Sequence, residues 1–388
     1  MTMPFLLPAA ATRKNTRHLF SGKNISFAAL LACVFWAFAR GFYPPNIWSS
    51  NYWLINYFDG FHRRALLGSF LYPFGDLRLN YWFVASIQIV VSAALLVLVL
   101  AKLRTLQKQQ NYMYVYLAVC LFCLSTYGAF FFGSVGYVEH VMYLLIFLSF
   151  QAKGQVSRVL LAVATVLVHE MSIFTCLPLW FAIEYTYFGR KKTAVAGAIL
   201  GSGVFACIYF FFQTASVEAI VRYKQFIAMA LYNARLDYVT DVFQEGFTGA
   251  GFRWSSHYGG VPEFADGSGI LCIALLAATI IAALSLAKSI GKLNALIAFA
   301  ATLSPWVMGF FGADINRWMF LACVNAAVMQ TIFSGSMGRK ELGIQCVMLA
   351  CGLLLSNVWL FDGRQYRAAD EAMRFILHFG TSMKAALI

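Results

Sequence analysis

Charge is scarce in this sequence. Only 12% of its 388 residues are Asp, Glu, Lys or Arg, about half of the roughly 25% in ordinary soluble domains. Negative charge is scarcer still, with 16 acids against 29 Lys and Arg. Several motifs are missing as well. The short basic links between apolar segments hold no Gly-rich loop opening a helix, which argues against ATP or nucleotide-sugar chemistry there. No Asp-x-Asp pair exists to hold a metal-bound diphosphate. "HEMSI" at 169–173 begins like the zinc motif HExxH, but Ile173 stands where the second ligand belongs, so a zinc peptidase is excluded. The 6 histidines are scattered without metal-ligand spacing. The 9 cysteines all fall inside apolar segments, and Cys120 with Cys123 reads as small polarizable packing residues rather than a redox or metal pair.

What is present is apolar. Hydrophobic residues make up 61% of the chain and the mean hydropathy is +0.71. Runs near 20 residues recur along the length, as crossing a ~30 Å hydrocarbon core requires. The expected fold is an all-α polytopic membrane protein of about eleven transmembrane helices. They lie near 25–42, 81–101, 112–132, 137–151, 157–170, 172–188, 194–213, 269–287, 293–311, 317–334 and 342–360. The apolar piece 3–11 precedes the basic cluster Arg13, Lys14, Arg17 and Lys23, the reverse of a cleavable signal.

Charge placement predicts the topology. The links "KLRTLQK", "QAKGQVSR", "GRKK", "KSIGK" and "GRKE" separate alternate pairs of spans, and short Lys/Arg-rich loops stay cytoplasmic. The N-terminus is then inside. Residues 43–80, 133–136, 214–268, 312–316 and the C-terminal tail are outside. The segment 157–188 carries basic residues at both ends (Lys153 and Arg158, then Arg190, Lys191 and Lys192), so it reads as a hairpin of two short helices with "VHEMS" at its apex. Among lysines only Lys224 and Lys384 fall outside, and among acids only Glu184 and Glu341 fall inside. The outer face is thus rich in arginine and carboxylate. One membrane domain, 1–388, carries an outer cap formed by 43–80 and 214–268, with amphipathic helices at the outer face.

Polar groups collect at the outer boundary, and ionisable groups near membrane depth are functional candidates. Asp59, His62, Arg63 and Arg64 lie in "NYFDGFHRRALLGSF". If that stretch is helical, Asp59 and Arg63 share a face, the apolar side of "RRALLGSFLY" lies in the membrane, and both arginines sit beside the headgroups. Glu139 and His140 open the fourth span. His169 and Glu170 occupy the hairpin apex, where a helix would turn them about 100° apart. Asp314 and Arg317 stand one turn apart, close enough for a local ion pair. The long outer loop contributes Arg235 and "GFRWSSHYGG" with Arg253, Trp254 and His257, where rings can stack on sugar faces. The preceding 217–238 reads as an amphipathic helix. Arginine suits bidentate phosphate recognition. An acid or histidine can deprotonate an acceptor hydroxyl. Together they fit transfer of a sugar from a lipid-linked phosphate, with Asp59, His169 and Glu170 as candidate bases and no cofactor or metal. A transporter or flippase for an anionic lipid-linked sugar would use the same arginines, but it should also carry repeat symmetry and midplane charge.

The architecture resembles the bacterial polytopic glycosyltransferases of the GT-C type and the related O-antigen and capsule polymerases. The shared features are an internal N-terminus, a long first outer loop with an acid (Asp59), and a larger second outer loop with arginines. O-antigen polymerases are associated with Arg-x10-Gly in outer loops, and Arg64 with Gly75 and Arg235 with Gly246 fit that spacing. The resemblance implies an inner-membrane polysaccharide-biosynthesis enzyme. It would act on a polyprenyl (undecaprenyl) phosphate-linked sugar among membrane lipids, with no nucleic-acid partner.

The topology has a direct test. In a background without native cysteines, Ser256→Cys should react with an impermeant maleimide in intact cells. Labelling only after lysis would overturn the map.

Overall fold

The computed structural model describes residues 22–45, 49–50, 52–61, 63–212, 217, 220–221, 225, 268–310, 315–355, 358–359 and 365–366. The chain is helical. Its helices are α1 (Gly22–Gly41), α2 (Leu66–Leu71), α3 (Tyr81–Leu106), α4 (Tyr112–Leu124), α5 (Thr126–Gly133), α6 (Val138–Gln151) and α7 (Gln155–Val168). Then come α8 (Cys176–Ala182), α9 (Lys191–Phe211), α10 (Ser268–Ile290), α11 (Lys292–Leu303), α12 (Ile315–Phe333) and α13 (Arg339–Leu355). The one departure among the described residues is a pair of two-residue antiparallel strands, Val358–Trp359 with Gln365–Tyr366.

A helix lies at each of the eleven expected spans. Among the described residues five helices are long and apolar enough to cross a membrane, namely α1, α3, α9, α10 and α12, and a sixth follows if α4 and α5 count as one span bent by 72°. The other described helices have fewer than 18 residues. A 14-residue helix such as α6 or α7 extends about 21 Å against a ~30 Å hydrocarbon core. The membrane character therefore stands with five to six full-length helices, among which shorter ones are packed.

The bend has an identifiable cause. Ser125 interrupts α4, and its Oγ accepts from the Tyr127 N–H, which starts α5. The carbonyls left at the end of α4 are taken by Arg40 from the end of α1. One guanidinium nitrogen donates to Cys123, Leu124 and Ser125 at 2.9, 3.0 and 2.7 Å. A buried cation is thus spent on orphan helix-terminal carbonyls. Arg40 is only 2% exposed. It is a cap inside the bundle.

The stretch 157–188 folds as the expected hairpin of short helices. α7 ends at His169, a 3-10 turn covers Glu170–Ile173, and α8 runs on into a π-turn over Ile183–Tyr187. Arg158, near the start of α7, lies within electrostatic reach of Glu184 and Arg190 beyond the end of α8, so the two arms return to one level. Thr165 and Ser172 share a 2.6 Å hydroxyl hydrogen bond across the apex. α9 then packs on α8 through Gly197 and Gly201, where a Cβ would run into the Trp180 ring and the Leu177 side chain. Small residues four apart allow this close approach.

The hairpin is locked to the C-terminal helices by Asn325 of α12, which is fully buried. Its amide donates to the Thr175 and Ala301 carbonyls at 3.1 and 3.0 Å, and its oxygen accepts from the Tyr143 hydroxyl at 2.7 Å. One side chain ties the hairpin, α11, α12 and α6. Asn325→Leu keeps the size but orphans those groups. It should lower stability by about 1–3 kcal/mol, read as a lower unfolding temperature in detergent. An unchanged transition would contradict this role.

Candidate functional site

The site is built where α7 stops. His169 leaves the helix with extended backbone, φ −158° and ψ 126°, and its Nδ1 accepts from the Met171 N–H at 3.2 Å. Because the backbone here is not helical, the expected 100° divergence of His169 and Glu170 does not arise. The Glu170 carboxylate comes to 3.4 Å from His169 Nδ1.

The partners of Glu170 arrive from the first long loop. This loop is not the expected amphipathic helix. Tyr57–Asp59 form a short 3-10 turn, Gly60 takes φ 119°, and the helix begins only at Leu66. Between them Arg64 adopts φ 63°, the one positive-φ non-glycine among the described residues, and this is a conformation that side chains other than Gly rarely take. The loop is anchored on both sides. Trp53 Nε1 donates to the Gly136 carbonyl at 3.1 Å, and Gly68 packs directly on the Ile55 carbonyl, leaving no room for a Cβ. The arginines therefore turn inward rather than toward headgroups, and Arg63 is only 3% exposed. Arg64 Nε donates to both carboxylate oxygens of Glu170 at 3.0 Å, and Arg63 Nη1 lies 3.5 Å from Oε1.

A second pair stands beside the first. Arg317 in the first turn of α12 pairs with Glu139 in the first turn of α6. Its partner among described side chains is thus across the bundle, and not the neighbouring Asp314. Two tyrosines that sequence reasoning missed join the pairs. Arg64 lies over Tyr52 at 5.8 Å and Arg317 over Tyr137 at 5.4 Å, while the two rings are 6.5 Å apart. Tyr52 also packs against the His169 ring at 5.9 Å. Tyr137 directly precedes Val138 and Glu139, and Tyr52 lies in the aromatic run before Asp59. Nothing in the sequence pairs them.

The structure thus brings together Arg63, Arg64, Glu139, His169, Glu170 and Arg317. His140 turns away, with Nε2 facing the Phe131 carbonyl at 3.1 Å and its ring on Phe131. The side chains of Asp59, His62 and Asp314, and all of Arg235, Arg253, Trp254 and His257, lie outside the described residues, as does most of 217–238. Among the described residues no group of His, Cys, Asp or Glu could hold a metal ion.

Two protonation states follow. Opposite charge within 3.0 Å of both carboxylate oxygens favours the ionised form of Glu170. His169 accepts through Nδ1 from the Met171 N–H, the role of a neutral imidazole nitrogen. With Nδ1 accepting from Met171, its proton sits on Nε2, which is a donor. Glu170, held ionised by two guanidinium groups, is a weak base and an anchor for the arginines.

Glu170→Gln should destabilise the protein by about 3–5 kcal/mol near neutral pH, because it leaves buried guanidinium charge without its carboxylate. Thermal scans of both proteins in detergent at neutral pH should show the variant unfolding at a clearly lower temperature. Coincident transitions would contradict the anchoring role of Glu170.

Compared with protein-family models, with curated proteins and with solved structures, the chain matches none.

Proposed function

We propose that this chain is a glycosyltransferase or polysaccharide polymerase of a bacterial inner membrane. It would act at the outer face on a polyprenyl-(pyro)phosphate-linked sugar. The observation that carries this reading is the convergence of Arg63, Arg64 and Arg317, from two distant segments, at the break of a buried helical hairpin. Planar guanidinium forks already held in place suit a phosphate whose charge grows as a bond breaks. In this reading the eleven helices alternate from a cytoplasmic N-terminus. The hairpin apex faces outward, and Arg235, Arg253, Trp254 and His257 are further candidates for binding the substrate.

The reaction balances simply. The acceptor hydroxyl oxygen attacks the anomeric carbon, and the bond from that carbon to the lipid phosphate breaks. The bonding pair leaves with the phosphate, where Arg63, Arg64 and Arg317 meet the new charge. The hydroxyl proton goes to Asp59. Of the three candidate bases, Glu170 is committed to its arginines. His169 presents an N–H and is better suited to hold a sugar hydroxyl or phosphate oxygen. Asp59, four residues before Arg63, is the remaining choice.

Asp59→Asn nearly preserves shape and removes the base. The purified variant should still bind a polyprenyl-pyrophosphoryl sugar but turn it over about 10²–10⁴-fold more slowly. Near-normal turnover would dismiss Asp59 as the base. Absence of any sugar transfer by the wild-type protein across lipid-linked donors would dismiss the reaction class.

A further inference from the structure

A cavity of about 940 Å³ lies among α3, α4, α6 and α12 and shares Glu139 with the arginine site. Glu139 and His140, at the start of α6, line one end. Gln151, the last residue of α6, lines the other end with Lys102, Lys108 and Arg190. From Glu139 to Gln151 the helix rises about 18 Å. Between the ends the wall is hydrocarbon, with Val99, Phe147 and Val328 among its lining residues. The Tyr143 and Thr331 hydroxyls that also line it are already bonded to Asn325 and to the Ala327 carbonyl, so a sugar gains little there, whereas an alkyl chain fits.

The two ends differ in charge. Among the described residues that line it, the one acid is Glu139 and the Lys and Arg residues are all at the far end. Arg190 is held there by Glu184 at 3.2 Å and by the face of Phe188 at 4.3 Å. Lys108 is exposed, just past the end of α3. A basic mouth between apolar helices is the arrangement that recognises anionic lipid headgroups. The opposite orientation would set a phosphate against the Glu139 carboxylate.

We propose that this cavity is a binding site for an anionic glycerophospholipid. Its phosphate lies at Lys102, Lys108 and Arg190, and one acyl chain runs along the cavity toward His140. Its phosphate end lies at the opposite end from Glu139, which it shares with the donor site proposed above, and the proposal does not depend on that site. A bound chain would fill the space behind α6 and α12, the helices that carry Glu139 and Arg317.

The full chain, purified in detergent, would be titrated with dioleoyl-phosphatidylglycerol and dioleoyl-phosphatidylcholine, and retained lipid read by native mass spectrometry. The glycerol lipid should be retained with about tenfold or greater preference. Lys102→Gln with Lys108→Gln should abolish that preference while leaving phosphatidylcholine binding and the unfolding temperature unchanged. Val328→Trp should reduce retention of both lipids. Equal retention by the wild type, a preference that survives the double variant, or displacement of phosphatidylglycerol by equimolar undecaprenyl phosphate would each overturn the proposal. The last result would give the cavity to the sugar donor instead.

Discussion

The carboxylate of Glu170 sets the terms for everything around it. It is 2% exposed, at the point where a short helix stops inside the bundle. An ionised carboxylate there costs several kcal/mol in lost hydration unless cations and hydrogen bonds replace the water. The hairpin itself supplies one neutral imidazole. The cations come from more than a hundred residues earlier in the chain, and so the first long loop must dock. Its docking explains features that look unrelated: the Trp53 bond to Gly136, the absence of a side chain at Gly68, and the left-handed backbone of Arg64. An unfavourable φ at a non-glycine residue persists only where surrounding contacts enforce it. Here the bidentate grip of Glu170 is one of those contacts.

The same logic recurs wherever a helix is interrupted. Backbone groups freed inside a membrane protein must be satisfied by the protein. At the bend between α4 and α5 the donor is Arg40. At the end of α7 the capping group is the His169 ring, whose Nδ1 accepts from the freed Met171 N–H. Between the hairpin and α11 it is Asn325, whose amide meets carbonyls from both. Polar side chains in this bundle are spent first on repairing broken helices. Those left to converge on one place, at Glu170 and Glu139, are the ones with chemistry to offer.

Much of this was legible in the sequence. The membrane character and the position of each helix follow from apolar run length and basic links. The hairpin follows from Arg158 and Arg190 both seeking one side. The concentration of ionisable groups at 63–64, 139, 169–170 and 317 was visible as well. What periodicity could not give was the pairing. Arg317 has an acid three residues before it, yet its described partner is Glu139, from a helix far away in the chain. Helical spacing was also the wrong ruler for 59–64 and 169–170, since both stretches are turns. Helix length was hidden for a related reason: a 14-residue apolar helix and a full span read alike in hydropathy.

The two Arg–Glu pairs are not independent of each other. Tyr52 and Tyr137 stand between them, each offering a ring face to one guanidinium. A ring face stabilises a cation most where water is excluded. Arg64 and Arg317 are therefore each fixed by an acid along the plane of the guanidinium and by an aromatic face beside it. Rotamer freedom that an exposed arginine would lose on meeting an anion has already been lost on folding. An anion entering between the pairs would meet donors that need little rearrangement, the condition under which electrostatic stabilisation of developing charge is most effective. The tyrosines, invisible as a motif, thus fix Arg64 and Arg317 beside one another.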